Sequence, residues 1–178
     1  FTVSERGLRV AFMARWPGKI ARGRTDALSS FVDFLPTAIE LAGGVVPAGL
    51  DGKSLLPVLT GHSSENHDYV YGVSHNQGIQ RRSVFPQRSI SDGRYRYIFS
   101  FNSLDRLERD RAAGKAINYF VERGAKEHNA REEQLYDTHT DPYELENLSD
   151  DLKYAQLKDR LRSQLFAWMR SQNDHLRE

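Results

Sequence analysis

The stretch "EEQLYDTHTDPYELENLSDD", residues 132–151, carries eight acidic residues and no Lys or Arg. Three readings compete for it: a cation-binding loop, an acidic docking surface, or a junction that ends a strand and starts a helix. A calcium loop of the EF-hand kind needs oxygen ligands at alternating positions, Gly at the sixth and Glu at the twelfth. Counted from Asp137, His139 and Asp141 keep the alternation, but Pro142 stands sixth and Leu148 twelfth. The spacing fails at both deciding places. As a junction the stretch is coherent. Leu135 and Tyr136 read as buried strand residues, and Asp141-Pro142 opens a turn of the kind Asp side chains stabilise through their own backbone. Leu148 leads into a helix. The carboxylates are then expected to cap that helix or to pair with the block before it, where residues 79–131 hold twelve Lys/Arg against six Asp/Glu.

Working outward, Leu152, Leu157, Leu161, Leu165 and Trp168 recur at spacings of four or three with charges between them. That period predicts an amphipathic terminal helix, capped by Ser149 or a neighbouring Asp, with acidic residues at its positive N-terminal end. Upstream, "DYVYGVSH" and "RYRYIFSF" are rich in aromatic and β-branched residues, and "SVFPQRSISDG" ends in an Asp-Gly turn. These are strand and hairpin signals. Residues 104–121 are mixed helical, interrupted by Gly114. Before residue 61 the character is different. "LRVAFMARWP" predicts a buried strand over about residues 10–16, stopped by Pro-Gly. "DFLPTAIELAGG" predicts a helix capped by Asp33, with Pro36 in its first turn, Leu35, Ile39 and Ala42 on one face, and Gly43-Gly44 as its stop. "GLDGKSLLPVLTG" predicts a turn and a short apolar turn of helix. The fold class expected is α/β for residues 1–60, becoming α+β over residues 61–178, where a small antiparallel sheet is packed by the terminal helix.

The bulk properties exclude several functions. The chain has 178 residues, a net charge of +1 and no cysteine, so disulfides, thiolate metal sites and a cysteine nucleophile are ruled out. No apolar run approaches the ~20 residues of a membrane span. "GVSHN" resembles a nucleophile elbow but lacks its second Gly. Ser74 and His75 are strand neighbours that point to opposite faces, so they form no dyad. The six histidines show no ligand spacing, and a metal site from this chain alone is not expected. "NLS" at Asn147 matches an N-glycosylation sequon by pattern only. Arg81, Arg82, Arg88, Arg94 and Arg96 interleave with Phe85, Tyr95 and Tyr97. Without an RNP, KH or helix-turn-helix signature this is no nucleic-acid module. It reads as a half-exposed sheet with Arg stems on rings, whose guanidinium forks would also suit sulfate or carboxylate groups of an acidic sugar.

The order of motifs adds a further reading. "ERGLRVAFMARWPGKI", "SSFVDFLPTAIELAG", "LDGKSLLPVLTG", "RSISDGRYRYI" and "EEQLYDTHTDPYELENL" follow one another as in the C-terminal part of sulfatases, over essentially the whole chain. "SHNQG…VFPQRSISDGRYRYI" is most similar to the sulfamidase, or heparan N-sulfatase, branch. The resemblance implies an alkaline-phosphatase-like fold, with residues 1–60 as the last strand and helix of the catalytic domain and 61–178 as the C-terminal subdomain. It implies hydrolysis of a sulfate ester or sulfamate, with a glycosaminoglycan sugar as the expected substrate. A formylglycine attacks sulfur while a divalent cation, usually calcium, and basic side chains stabilise charge on the sulfate oxygens. The formylglycine signature, Cys or Ser-x-Pro-x-Arg, is absent here, since Ser83 stands one position too far from Pro86. The family's cation ligands lie upstream, and its sulfate-binding Lys or Arg falls just ahead of Phe1. The expectation is therefore a C-terminal fragment, inert alone, with no catalytic residue, metal ligand or cofactor of its own. Its partners would be the rest of the catalytic domain and a sulfated carbohydrate, reached through His75, Asn76 and Gln77 with Arg88 as a further contact. The resemblance implies a periplasmic, extracellular or lysosomal enzyme. Alternatives are a module that binds an anionic polymer, or a phosphatase or phosphodiesterase of the same superfamily.

Overall fold

The computed structural model describes residues 3–75, 86–101 and 132–176. Its contacts divide the chain into two compact units, residues 10–70 and residues 1–9 with 71–178. The boundary expected at residue 60/61 concerned membership of a larger catalytic domain, a different division from this one.

The second unit is built on a sheet with strand order β1-β2-β3-β4, comprising Val70–Ser74, Gln87–Ser91, Tyr95–Ser100 and Glu133–Asp137. β2 and β3 pair antiparallel with Ile90 opposite Tyr97, and β3 and β4 with Tyr97 opposite Leu135. The Asp-Gly turn closes the first hairpin. Gly93 takes a φ of 95°, and Asp92 Oδ1 accepts the Arg94 and Tyr95 N–H groups. Side chains alternate across a strand, and each face of the sheet has its own cover. Tyr95, Tyr97 and Phe99 face the terminal helix, Ala155–Ser171, where Leu161, Leu165 and Met169 are buried. Phe99 meets Phe166 edge-on at 5.2 Å, and Tyr71 stacks on Trp168 at 4.3 Å. On the other face Val3 clusters with Ile98 and Tyr136, joined by Leu8 of the short helix Glu5–Leu8 (α1). Gly72 permits this close approach, because a Cβ there would stand 2.5 Å from Ser89 Oγ and 2.6 Å from Leu8 Cδ1. The half-exposed sheet expected from the Arg/Tyr alternation is therefore corrected. β2 is buried along its whole length, and β3 from Arg96 onward, because both faces are covered.

In the other unit the predicted strand over residues 10–16 does not form. None of these residues joins a ladder, and Val10, Phe12 and Met13 are exposed, Met13 at 92%. A strand needs a paired neighbour for its N–H and C=O groups, and no described segment offers one. Helix α2 spans Phe34–Leu41 and α3 spans Leu56–Leu59, as the Gly-Gly stop and the Leu-Pro-Val-Leu run predict. The buried face of α2 differs from expectation, however: Pro36 and Thr37 are inside while Leu35 is 55% exposed. Nor is Asp33 its side-chain cap. Asp33 ends the 3-10 turn Phe31–Asp33, forming a reciprocal capping box with Ser30. Its carboxylate is fully buried and accepts from four sides: Ser30 N–H at 2.8 Å, Lys53 N–H at 2.9 Å, Asn66 Nδ2 at 3.3 Å and His67 Nε2 at 2.7 Å. Thr37 Oγ1 continues the link by donating to the Asp33 carbonyl and accepting from Leu55 N–H. The polar demand of Asp33, not the apolar stripe, sets the rotation of α2.

Candidate functional site

The predicted substrate loop leaves β1 at Ser74 and His75. Ser74 is buried and His75 is exposed. Asn76 and Gln77 lie outside the described residues, as does the mixed helical stretch 104–121. Arg88 occupies the second position of β2 on the helix-facing side, opposite Phe99. The expected surface contact is not what its geometry offers. The side chain is only 2% exposed and its Nε donates to Asp174 Oδ2 at 2.6 Å. Nη1 donates to the Gln87 carbonyl at 2.9 Å and lies 3.4 Å from the Ser74 carbonyl. Arg88 is a buried residue paired with Asp174.

Asp174 carries no motif of its own, and the signal that places it is the helix stop. The terminal helix, labelled α4, ends in a Schellman turn: Asn173 N–H bonds the Arg170 carbonyl, and Asp174 N–H bonds the Met169 carbonyl. Asn173 sits at a φ of 52°, the left-handed conformation that Asn tolerates. The turn redirects the chain so that Asp174 meets Arg88. Burial works against ionisation of Asp174, yet the hydrogen bonds from Arg88 and the Leu176 N–H, with the charges of Arg88 and His75, outweigh it. Its carboxyl is held below the usual carboxylate range.

Five of the carboxylates in the acidic stretch, Glu133, Asp137, Asp141, Glu144 and Asp151, have structural partners. β4 ends at Asp137, whose Oδ2 receives Arg94 Nη2 at 2.8 Å. The Arg94 hydrogen bond, backed by the His139 and Thr140 N–H groups, lowers its pKa against a smaller burial penalty. Asp141 Oδ2 accepts the Leu145 and Glu146 N–H groups and makes the turn. Glu133 binds Lys158 and Arg162 of α4 and the Tyr97 hydroxyl. Asp151 caps the turn before α4 through Lys153 N–H, the role expected of Ser149 or a neighbouring Asp. The Asn147 amide accepts from Leu135 and Ser149 and donates to the Glu133 carbonyl, so the sequon serves to clip β4 to the loop. Glu144, at a φ of 54°, accepts Glu5 N–H at 3.0 Å and faces Arg96, which also binds Glu5 at 2.5 Å. Burial raises the Glu144 pKa, only partly offset by that N–H and the Arg96 charge. Among the described residues no three His, Cys, Asp or Glu stand together as metal ligands.

A short α1 and a terminal helix lie on opposite faces of a four-stranded sheet, with the acidic loop clipped to its edge, the small antiparallel sheet and packed helix expected for the C-terminal part of a sulfatase. The chain belongs to the family described as N-sulphoglucosamine sulphohydrolase, C-terminal, whose model matches residues 2–112. An ulvan-active sulfatase of Formosa agariphila is 46% identical over 100% of this chain and 36% of its own length. Bovine arylsulfatase A is 39% identical over 55% of the chain and 19% of its own length. Among solved structures, a 2-O glycosaminoglycan sulfatase shares 28% identity, with a TM-score of 0.58 over 80% of this chain and 25% of that one. A protein solved with its substrate D-glucosamine-2-N,6-O-disulfate has a TM-score of 0.62 over 90% of this chain and 28% of that one. Its identity of 23% makes this a likeness of fold. The chain spans about a third of the length of the curated relatives that match all or nearly all of it, 36% and 30%.

Proposed function

We propose that this chain is the C-terminal part of a sulfatase that releases sulfate from a sulfated polysaccharide sugar, with His75 at the mouth of the sugar-binding pocket. The observation that carries the reading is the 46% identity, over the whole chain, to an ulvan-active sulfatase. A glycosaminoglycan sugar is the substrate class the motif order suggests, and the 28% identity to a 2-O glycosaminoglycan sulfatase supports the same breadth. The sulfamidase activity suggested by the "SHNQG" motif remains part of this proposal and is separable by substrate. The enzyme acts outside the cytosol in this reading. No described helix is long and apolar enough to cross a membrane.

Formylglycine and calcium would supply the nucleophile and the charge stabilisation. The residues described here do not fit either group, having no ligand cluster and no Cys or Ser-x-Pro-x-Arg. No step is therefore assigned to this chain through them, and the chain alone is inert in this reading. What its residues do is shape the substrate side: His75 is exposed, while Arg88, Arg94 and Arg96 are committed to Asp174, Asp137 and the Glu5/Glu144 pair. Among the described residues that commitment weighs against the Arg/Tyr strands β2 and β3 as an anionic-polymer surface, since displacing counterions needs free cations.

The test is sulfate release by the complete protein from ulvan oligosaccharides, N- and O-sulfated glucosamine disaccharides and 4-nitrophenyl sulfate. Release from a saccharide is expected. Turnover of phosphate or phosphonate monoesters with no sulfate released from any of these would overturn the proposal.

A further inference from the structure

The residues that follow α4 are tied down by named bonds. The Schellman turn fixes the direction in which the chain leaves α4, and Asp174 is anchored on both oxygens, Oδ2 by Arg88 and Oδ1 by the Leu176 N–H. Arg88 is 2% exposed while Asp174 keeps 15% of its surface, so the pair has a sealed side and an open side. The sealed side lies against the ends of β1 and β2, where the guanidinium reaches the Gln87 and Ser74 carbonyls. Ser74 immediately precedes His75, and the alternation of β1, carried one residue past its end, puts His75 on the helix-facing side with Tyr71 and Arg88. The charge of His75 acts on the Asp174 carboxyl in the same direction as that of Arg88.

We propose that Asp174 is a positioning residue for His75, acting through the buried Arg88 to fix the end of β1 and so to place the imidazole toward a sulfated sugar. This rests on the reading of His75 as a substrate contact. The two are separable. In a buried pair Arg88 is the expensive member to alter, because removing it strands a carboxylate, and the reverse change strands a guanidinium. Asp174→Asn keeps an acceptor for Arg88 Nε and removes only the charge, which makes it the informative variant.

The experiment uses the complete enzyme, with ulvan oligosaccharide and 4-nitrophenyl sulfate as probes, and variants His75→Ala, Asp174→Asn, Asp174→Glu and the His75→Ala/Asp174→Asn double. His75→Ala is expected to lower kcat/KM on the oligosaccharide about tenfold more than on the aryl sulfate. Asp174→Asn should change the same ratio by about threefold to tenfold, expressed in KM, and Asp174→Glu should restore part of it. The double variant should match His75→Ala within about twofold, since a residue that acts through another adds nothing once that other is gone. Melting temperatures of all four, measured alongside, separate positioning from general loosening. If Asp174→Asn lowers activity equally on both probes, or adds fully to His75→Ala, the positioning role is overturned while the His75 reading stands. If His75→Ala leaves the ratio unchanged, both fall.

Discussion

Asp33 shows how much one side chain can organise. Its carboxylate closes a capping box with Ser30 and holds the backbone at Lys53 together with Asn66 and His67, joining three segments that no apolar pattern connects. Replacing it with Ala leaves several buried donors unpaired, so Asp33→Ala should cost about 3 kcal/mol or more in urea unfolding. A loss below about 1 kcal/mol would mean that water replaces the carboxylate at little cost. The charged residues also set a pH dependence with a definite sign. Asp137, Asp174 and Glu133 have pKa values lowered by folding. Each therefore contributes stability that is present above its unfolded pKa and lost as pH falls through its folded one. Glu144 is raised, so its contribution is full below its unfolded pKa and is lost as pH rises through the folded value. Melting temperature should thus fall below about pH 5, and Asp137→Asn should flatten that acid limb. Glu144→Gln keeps an acceptor for Glu5 N–H and should flatten the opposite trend without a large loss at neutral pH. A steeper acid limb in Asp137→Asn would contradict the assignment. That Asp137 and Glu144 pair with the basic block before them was legible from the two adjacent blocks of charge, whereas Glu133 meets Lys158 and Arg162 of α4 and Asp174 lies outside the acidic stretch. Which Arg meets which Asp was not, because register across β3 and β4 decides it.

At the scale of elements, the readings that succeeded had local causes. The alternation of β1 and β3, the Asp-Gly hairpin and the apolar period of the terminal helix from Leu157 onward each need only neighbours in sequence, whereas Leu152, expected in that stripe, is exposed in the 3-10 turn before the helix. Those that failed depended on distant partners. Residues 10–16 have strand composition but no strand beside them, and α2 turns its Pro36/Thr37 side inward because Asp33 and Leu55 demand it. His75 was legible only as part of a polar exit from β1, and the Arg88–Asp174 ion pair was hidden because the two residues lie 86 apart in the chain. Two substitutions test the terminal helix as an element. Leu165 is fully buried against the sheet, and Leu165→Ala should cost about 3 kcal/mol by lost transfer energy and the cavity left. Asn173 is left-handed at the helix stop, so Asn173→Gly should be neutral or slightly stabilising, whereas Asn173→Val should cost about 1–2 kcal/mol. Equal effects of Gly and Val would show that the turn does not persist in solution.

At the scale of the molecule, apolar surface among the described residues is distributed unevenly. Val10, Phe12, Met13, Trp16, Phe31 and Phe34 are all exposed in the unit of residues 10–70, Phe31 at 80%. Several of them line an apolar cavity of about 240 Å³ with Ile20, Leu41 and Leu55. Single exposed hydrophobic residues are ordinary, but a contiguous patch of large ones marks an interaction surface. Because the chain matches about a third of each of its two fullest curated relatives, the proposed cover is the remainder of the sulfatase catalytic domain. The two tryptophans make this measurable. Trp168 stacks on Tyr71 within the other unit, whereas Trp16 lies in the exposed patch. With Trp168→Phe in place, Trp16 emission should move to shorter wavelength in the complete protein relative to this chain alone, and the chain alone should bind an apolar dye such as ANS. Phe12→Glu should abolish most dye binding by the chain and destabilise the complete enzyme by about 1.5–3 kcal/mol, the worth of burying a Phe side chain. Identical Trp16 emission in the two proteins, with Phe12→Glu harmless in both, would show that this surface faces water in the enzyme as well.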